Sequence, residues 1–306
     1  MLGIKLYRQL LFTSSVICII VAQIWVGHVW AQSYRLPPAH ENIVGDIFAI
    51  HAEPGMTLYS IGRQYGIGYM AMVKANPHVN PQKLKPWTKV IIPGAFVLPE
   101  GPREGIVINL PEMRLYYYPK DRLEVMTFPV GIGRPEWVTP IGKTRVVEKI
   151  INPEWKVPKS IKAYMASKGV ELPDVMPPGK DNPLGEFAMR LGTWSYLIHG
   201  TNDPRSIGKR SSSGCIRMFP EHIAELFAQV PVGTPVHIIN QPYKVGWYGD
   251  EMYVESHPPF NDQGIGYSLH DAWQSAVDKR GVRIGWGQVE RMARDYKGYP
   301  RFVIRD

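Results

Sequence analysis

The chain has 306 residues, 44% of them hydrophobic and 20% charged, and a net charge of +8 from Lys+Arg 35 against Asp+Glu 27. That length holds two or three separate cores, and that balance excludes an intrinsically disordered chain. The basic residues are scattered, with no run of five or more, which argues against nucleic acid and leaves other anionic polymers as partners of a basic surface.

The first 31 residues read as an export signal: Lys5 and Arg8, an apolar stretch from about Leu10 to Val26, and the small-x-small pattern Val29-Trp30-Ala31. An uncleaved anchor is the alternative, because the stretch nears the roughly 18–20 apolar residues that span a bilayer. Either way the remainder lies outside the cytoplasm. Residues 34–44 read as a polar linker. Residues 46–94 then form a compact unit ordered strand, helix, helix, strand. Thr57 is placed to cap a helix Leu58–Tyr65 that ends at Gly66, a second helix runs from Gly68 to Asn76, and Lys89–Ile92 is the closing strand. On Gly55, Thr57-Leu58, Ile61, Tyr65-Gly66, Ala75-Asn76-Pro77 and Lys89–Pro93, this unit resembles a LysM domain. The resemblance implies a βααβ fold and binding to the N-acetylglucosamine-containing glycan of cell walls. Met56 stands where the family usually has Asp, which weakens the expected glycan affinity, and a module that merely holds its neighbour is the alternative.

From Gly105 the pattern turns to strands. Ile106–Leu110 and Arg114–Tyr118 form a hairpin across Pro111-Glu112, followed by strands at Val125–Val130, Lys143–Lys149, Ala188–Leu191, Tyr196–His199 and Val236–Ile239. Asn182-Pro183-Leu184-Gly185 punctuates a long loop, and Pro220–Phe227 is the one helix expected in this span. Residues 241–306 read as an accessory α+β segment, with a hairpin near Trp247–Val254 and helices at His270–Lys279 and Val289–Tyr296. The fold class expected is mainly β.

Two cysteines occur, and Cys18 falls in the leader, so Cys215 is a lone thiol in an exported protein. A thiol attacks carbonyls as thiolate, and His199, sixteen residues upstream, is a base available to take its proton. Gly214 permits a tight turn beside the nucleophile that can aim backbone amides at an oxyanion, and Arg217 offers a fork of donors for a carboxylate. The plainer alternatives are an inert buried thiol, a structural histidine, a surface ion pair at Arg217 and a turn former at Ser212.

His199-Gly200-Thr201, Ile207-Gly208 and Ser212-Ser213-Gly214-Cys215-Ile216-Arg217-Met218 resemble an L,D-transpeptidase catalytic domain of the YkuD type over residues 104–240. Gly131-Ile132-Gly133, Thr139-Pro140-Ile141-Gly142, Asn152-Pro153 and Asn182–Gly185 agree in order. The resemblance implies a β-sandwich-like domain with a short helix after the nucleophile. It implies Cys215 and His199 as the catalytic pair, and Gly214 and Gly200 at the oxyanion and the imidazole. Arg217, Ser212, Ser213 and Thr201 would bind substrate. No cofactor and no metal are implied. The partners implied are peptidoglycan stem peptides and glycan, with an outer-membrane lipoprotein as one acyl acceptor, and the location is periplasmic. A hydrolase using water as acceptor, or a wall-binding protein with a vestigial catalytic domain, are the competing readings.

Overall fold

The computed structural model describes residues 32–192, 196–260, 268–278, 280–281 and 285–303. The expected leader, residues 1–31, lies outside the described residues. Among those described, no helix is long and apolar enough to cross a membrane.

The chain opens with β1 (Gln32–Arg35), β2 (Ile43–His51), α1 (Leu58–Gln64), α2 (Tyr69–Ala75) and β3 (Lys89–Val97). Next come β4 (Gly105–Asn109), β5 (Arg114–Tyr118), β6 (Glu124–Pro129), β7 (Ile132–Gly133) and β8 (Gly142–Ile151). An arm follows, made of β9 (Trp155–Lys156), α3 (Lys159–Ala166) and β10 (Val175–Met176). The chain then returns through β11 (Phe187–Leu191), β12 (Leu197–His199), β13 (Arg210–Ser212), β14 (Ile216–Arg217), α4 (Pro220–Gln229) and β15 (Pro235–Ile239). It closes with β16 (Tyr243–Tyr248), β17 (Glu251–Ser256), α5 (Leu269–Asp278), α6 (Trp286–Arg294) and β18 (Arg301–Val303).

Nine strands form one sheet in the order β1-β6-β5-β4-β15-β8-β11-β12-β14. Strands β4, β5 and β6 are buried at nearly every position because both of their faces are covered. Side chains alternate across a strand, so Ile106, Ile108, Leu115, Tyr117 and Met126 enter one core with Ile223 and Leu226 of α4. Their neighbours Val107, Tyr116, Tyr118 and Val125 enter a second core with Leu58, Ile61, Met72, Val90 and Ile92 of the first unit. The catalytic-type sheet and the LysM-type module therefore share a core.

Within that module, β2 and β3 pair antiparallel from Ile43↔Val97 to His51↔Lys89. Thr57 and Ser60 make a reciprocal capping box, Ser60 N donating to Thr57 Oγ1 at 3.0 Å and Thr57 N to Ser60 Oγ at 2.9 Å. Asn76 ends α2 and clasps β3, accepting from Ile91 N at 2.7 Å and donating to Ile91 O at 2.8 Å. The βααβ order matches the sequence reading. The supposed linker differs, because part of it is strand: β1 adds to the edge of the large sheet at β6, and β2 begins at Ile43. The arm helix α3 is a second helix in a span where only α4 was expected. None of its residues is fully buried, and its apolar face, Ile161, Tyr164 and Met165 at helical spacing, is half-buried over a cavity.

A buried polar cluster joins the three parts of the chain. Lys244 Nζ lies 2.7 Å from Glu112 and 2.8 Å from Glu255, and donates to Val97 O at 2.7 Å. Glu255 also accepts from Val97 N and meets His257 Nε2, both at 2.7 Å. Glu112, Glu255 and His257 bring metal-type ligand atoms within 4.8 Å of one another, but the Lys244 ammonium already supplies the positive charge that a cation would bring. Every member is hydrogen-bonded, which is the condition under which buried charge persists.

His222 of α4 is fully buried between the edges of Phe128 and Phe219, and neither ring nitrogen has a partner. Burial pushes it down to about 4, whereas an unfolded histidine titrates near 6.5. Between those values the unfolded chain binds the extra proton, so stability is lost as pH falls from about 6.5. His222→Leu is expected to leave stability at pH 7 unchanged or raised by about 1 kcal/mol, since orphaned polar atoms disappear. It should also flatten the loss toward pH 5. Urea midpoints at the two pH values check this, and an unchanged pH dependence would count against it.

Candidate active site

Strands β12 and β14 run parallel, with Ile198 opposite Ile216 and His199 opposite Arg217. Because side chains alternate, Cys215 and Arg217 lie on the same face, and Arg217 sits beside His199. This pairing brings together residues sixteen apart in sequence at the end of the sheet. His199, Cys215, Arg217, Ser212 and Ser213 all line one cavity of about 370 Å³.

The imidazole of His199 is 3% exposed, and its Nδ1 lies 2.6 Å from Gly200 O. A carbonyl only accepts, so Nδ1 carries the proton and Nε2 keeps its lone pair. Burial, and next the Arg217 charge, push this histidine down to about 3 against the pull of the Gly200 and Leu184 carbonyls. Burial raises the Cys215 thiol, partly offset by the Leu197 amide and by Arg217. Both groups therefore rest neutral, as thiol and imidazole. The Arg217 side chain is largely buried, and its Nε has no partner.

The turn that carries Cys215 is fixed from two sides. Ser212 Oγ donates to Cys215 O at 2.6 Å and accepts from Gly214 N at 3.1 Å. Thr139 Oγ1 donates to Gly214 O at 2.8 Å while accepting from Gly133 N at 2.9 Å. Gly214 has φ +104°, and a Cβ there would stand 2.3 Å from the Tyr196 ring, so no other residue fits.

These contacts sort the residues named from the sequence. Ser212 is a turn former whose hydroxyl is engaged on the backbone. Thr201 is buried, and its hydroxyl accepts from Asp203 N at 3.0 Å, which shapes the loop rather than the cavity wall. The Gly214 amide is held by Ser212, so it is not free to meet an oxyanion. The Cys215 amide has no acceptor among the described residues. Ser213 is half-buried on the wall.

The sequence reading missed Thr139, Arg134 and the arm, whose Trp155, Tyr164, Met165 and Met176 form the opposite wall of the cavity. Thr139 lies in a segment the resemblance already singled out. Its bond to a carbonyl 75 residues away leaves no local signal.

A family model for the L,D-transpeptidase catalytic domain matches residues 103–238, and one for the LysM domain matches residues 53–93. The probable L,D-transpeptidase YcfS of Escherichia coli K12 is 41% identical over 260 residues, covering 81% of each chain. YbiS of the same strain, also a probable L,D-transpeptidase, is 41% identical over 235 residues and 76% of each chain. Among solved structures, the NMR structure of the catalytic domain of the E. faecium L,D-transpeptidase matches with 25% identity and TM-score 0.34, covering 44% of this chain and 96% of that one. The chain belongs to the L,D-transpeptidase family.

Proposed function

We propose that this enzyme acts on peptidoglycan by cysteine acyl transfer, with Cys215 as nucleophile and His199 as its base. The donor is a tetrapeptide stem ending in diaminopimelate-D-Ala. Sγ of Cys215 attacks the diaminopimelate carbonyl while His199 Nε2 takes the thiol proton, and the Cys215 amide is the donor available to the oxyanion. Collapse breaks the amide bond, His199 returns the proton to the departing D-Ala nitrogen, and a thioester remains. An acceptor amine then attacks the thioester and restores the thiol. The acceptor is a lysine of an outer-membrane lipoprotein or a second diaminopimelate, and the compartment is the periplasm. Arg217, which lines the cavity, holds a substrate carboxylate with its fork of donors. The observation that supports this reading is that His199 and Cys215 line one cavity, with the Nδ1–H bond to Gly200 leaving the lone pair on Nε2.

Mass spectrometry of the protein with tetrapeptide muropeptides, with and without a lipoprotein C-terminal peptide, tests it. D-Ala release with a new cross-linked mass supports transpeptidation and identifies the acceptor. D-Ala release alone points to hydrolysis, and no release counts against the reading.

His199 stays neutral down to about 3. Only below that value does protonation remove the base, so the rate of Cys215 acylation should show no histidine step near pH 6.5. Acylation by a carbapenem, followed by intact mass between pH 5.5 and 8, checks this. A step near 6.5 would mean that the imidazole titrates like an exposed one.

A further inference from the structure

Arg134 lines the cavity but has no part in the acyl transfer described above. Its side chain makes three bonds. Nε donates to Ser212 O at 3.3 Å, Nη2 to Ser211 O at 3.1 Å and Nη1 to the Tyr164 hydroxyl at 3.0 Å. Its backbone N also donates to Ser212 O at 3.1 Å. The guanidinium carbon stands 5.1 Å from the Tyr164 ring centroid, and Trp137 meets that ring edge-on at 5.9 Å. One planar group thus spans the strand that leads into Cys215 and the arm that faces it.

The arm has little else to hold it. Its ladder is two residues long, Val175↔Lys156 and Met176↔Trp155, and the apolar side chains of α3, Ile161, Tyr164 and Met165, are only half-buried. Asn182 clasps its base through Pro153 O at 2.9 Å and Pro177 O at 3.1 Å. Tyr164 lies between, on the helix, where its ring can contact anything that fills the cavity.

We infer that Arg134 is a positioning residue for the nucleophile. Its guanidinium fixes the Ser211 and Ser212 carbonyls, and Tyr164 ties that guanidinium to the arm, so that donor binding and nucleophile alignment are coupled through one side chain. This rests on the cavity being the donor site. Lysine has a single ammonium and cannot reach all three acceptors in a plane, so Arg134→Lys is not a conservative change here.

The test is a double-mutant cycle of Arg134→Lys and Tyr164→Phe, the latter removing one oxygen and keeping the ring. Two rates are read: D-Ala release from a tetrapeptide donor, and alkylation of Cys215 by iodoacetamide, which needs no donor. Each single variant is expected to lower kcat/KM about tenfold, the size of one lost bond to a charged group, with the pair no worse than Arg134→Lys alone. Alkylation should change in both. If Tyr164→Phe alkylates at the wild-type rate and only raises KM, Tyr164 is a wall of the cavity and the coupling is overturned. Multiplying effects in the double variant overturn it as well. Should Arg134→Lys fail to fold, the alkylation rate of Tyr164→Phe still decides. Wild-type protein that alkylates but releases no D-Ala would count against the acyl-transfer reading instead.

Discussion

Cys215→Ala is expected to lower D-Ala release from a tetrapeptide donor by at least about 10⁴-fold, the scale on which removing a nucleophile acts when its partners remain. Chromatography of released D-Ala from purified wild type and variant measures it. No neighbouring group can substitute. The Ser212 hydroxyl is held between the Gly214 amide and the Cys215 carbonyl. Ser213 is an ordinary alcohol with no base shown at hydrogen-bond distance. The substitution removes one half-buried sulfur and no hydrogen bond that shapes the turn, so the melting temperature should hold within a few degrees. Cys215→Ser should fail nearly as badly, because an alcohol is far harder to deprotonate than a thiol and His199 is a weak base in its buried site. Release above about 1% of wild type in Cys215→Ala would sink the assignment.

The sequence showed some of this site plainly and concealed the rest for a physical reason. His199 and Cys215 were legible because glycines and small polar residues around a lone thiol satisfy no packing need. The LysM-type helices were legible because Thr57 and Asn76 mark their ends with local bonds. Arg134, Thr139 and Tyr164 were not, because each acts on a backbone or ring brought near only by the closed sheet. Ser212 carried two readings, substrate contact by the resemblance and turn former by its own residues, and its place two residues before a glycine favours the second. The arm was passed over although Ile161, Tyr164 and Met165 stand at helical spacing on α3, because eight residues and two-residue strands make a short signal. The uninterrupted apolar runs of β4 and β5 signalled burial on both faces, which the sequence could express but not explain until the first module was seen covering one of them.

That covered face leads to the second large effect. A small module at the front of an enzyme reads as separable, and deletion of residues 46–94 would then leave a working catalytic domain with weaker wall binding. The structure predicts otherwise. Val107, Tyr116, Tyr118 and Val125 of the large sheet are each at most 3% exposed, and all four lie in the core shared with the module. Side chains of this kind contribute about 1.5–3 kcal/mol apiece when buried, so uncovering four costs on the order of 6–12 kcal/mol. A whole domain has a net stability of only about 5–15 kcal/mol. The deletion also removes Gly66 O, which accepts from Arg114 Nη2 at 3.1 Å, and Arg63, which donates to both Glu221 oxygens at 2.8 and 3.0 Å. The truncated chain is therefore expected to lose its cooperative melting transition and all D-Ala release. Arg63→Ala, by contrast, should fold with a loss of about 1–2 kcal/mol, because the pair is half-exposed. Calorimetry and D-Ala release on both variants check this. A truncated protein with native melting and native release would make the module an attachment, whereas loss of both means that sacculus binding by such a deletion says nothing about glycan recognition.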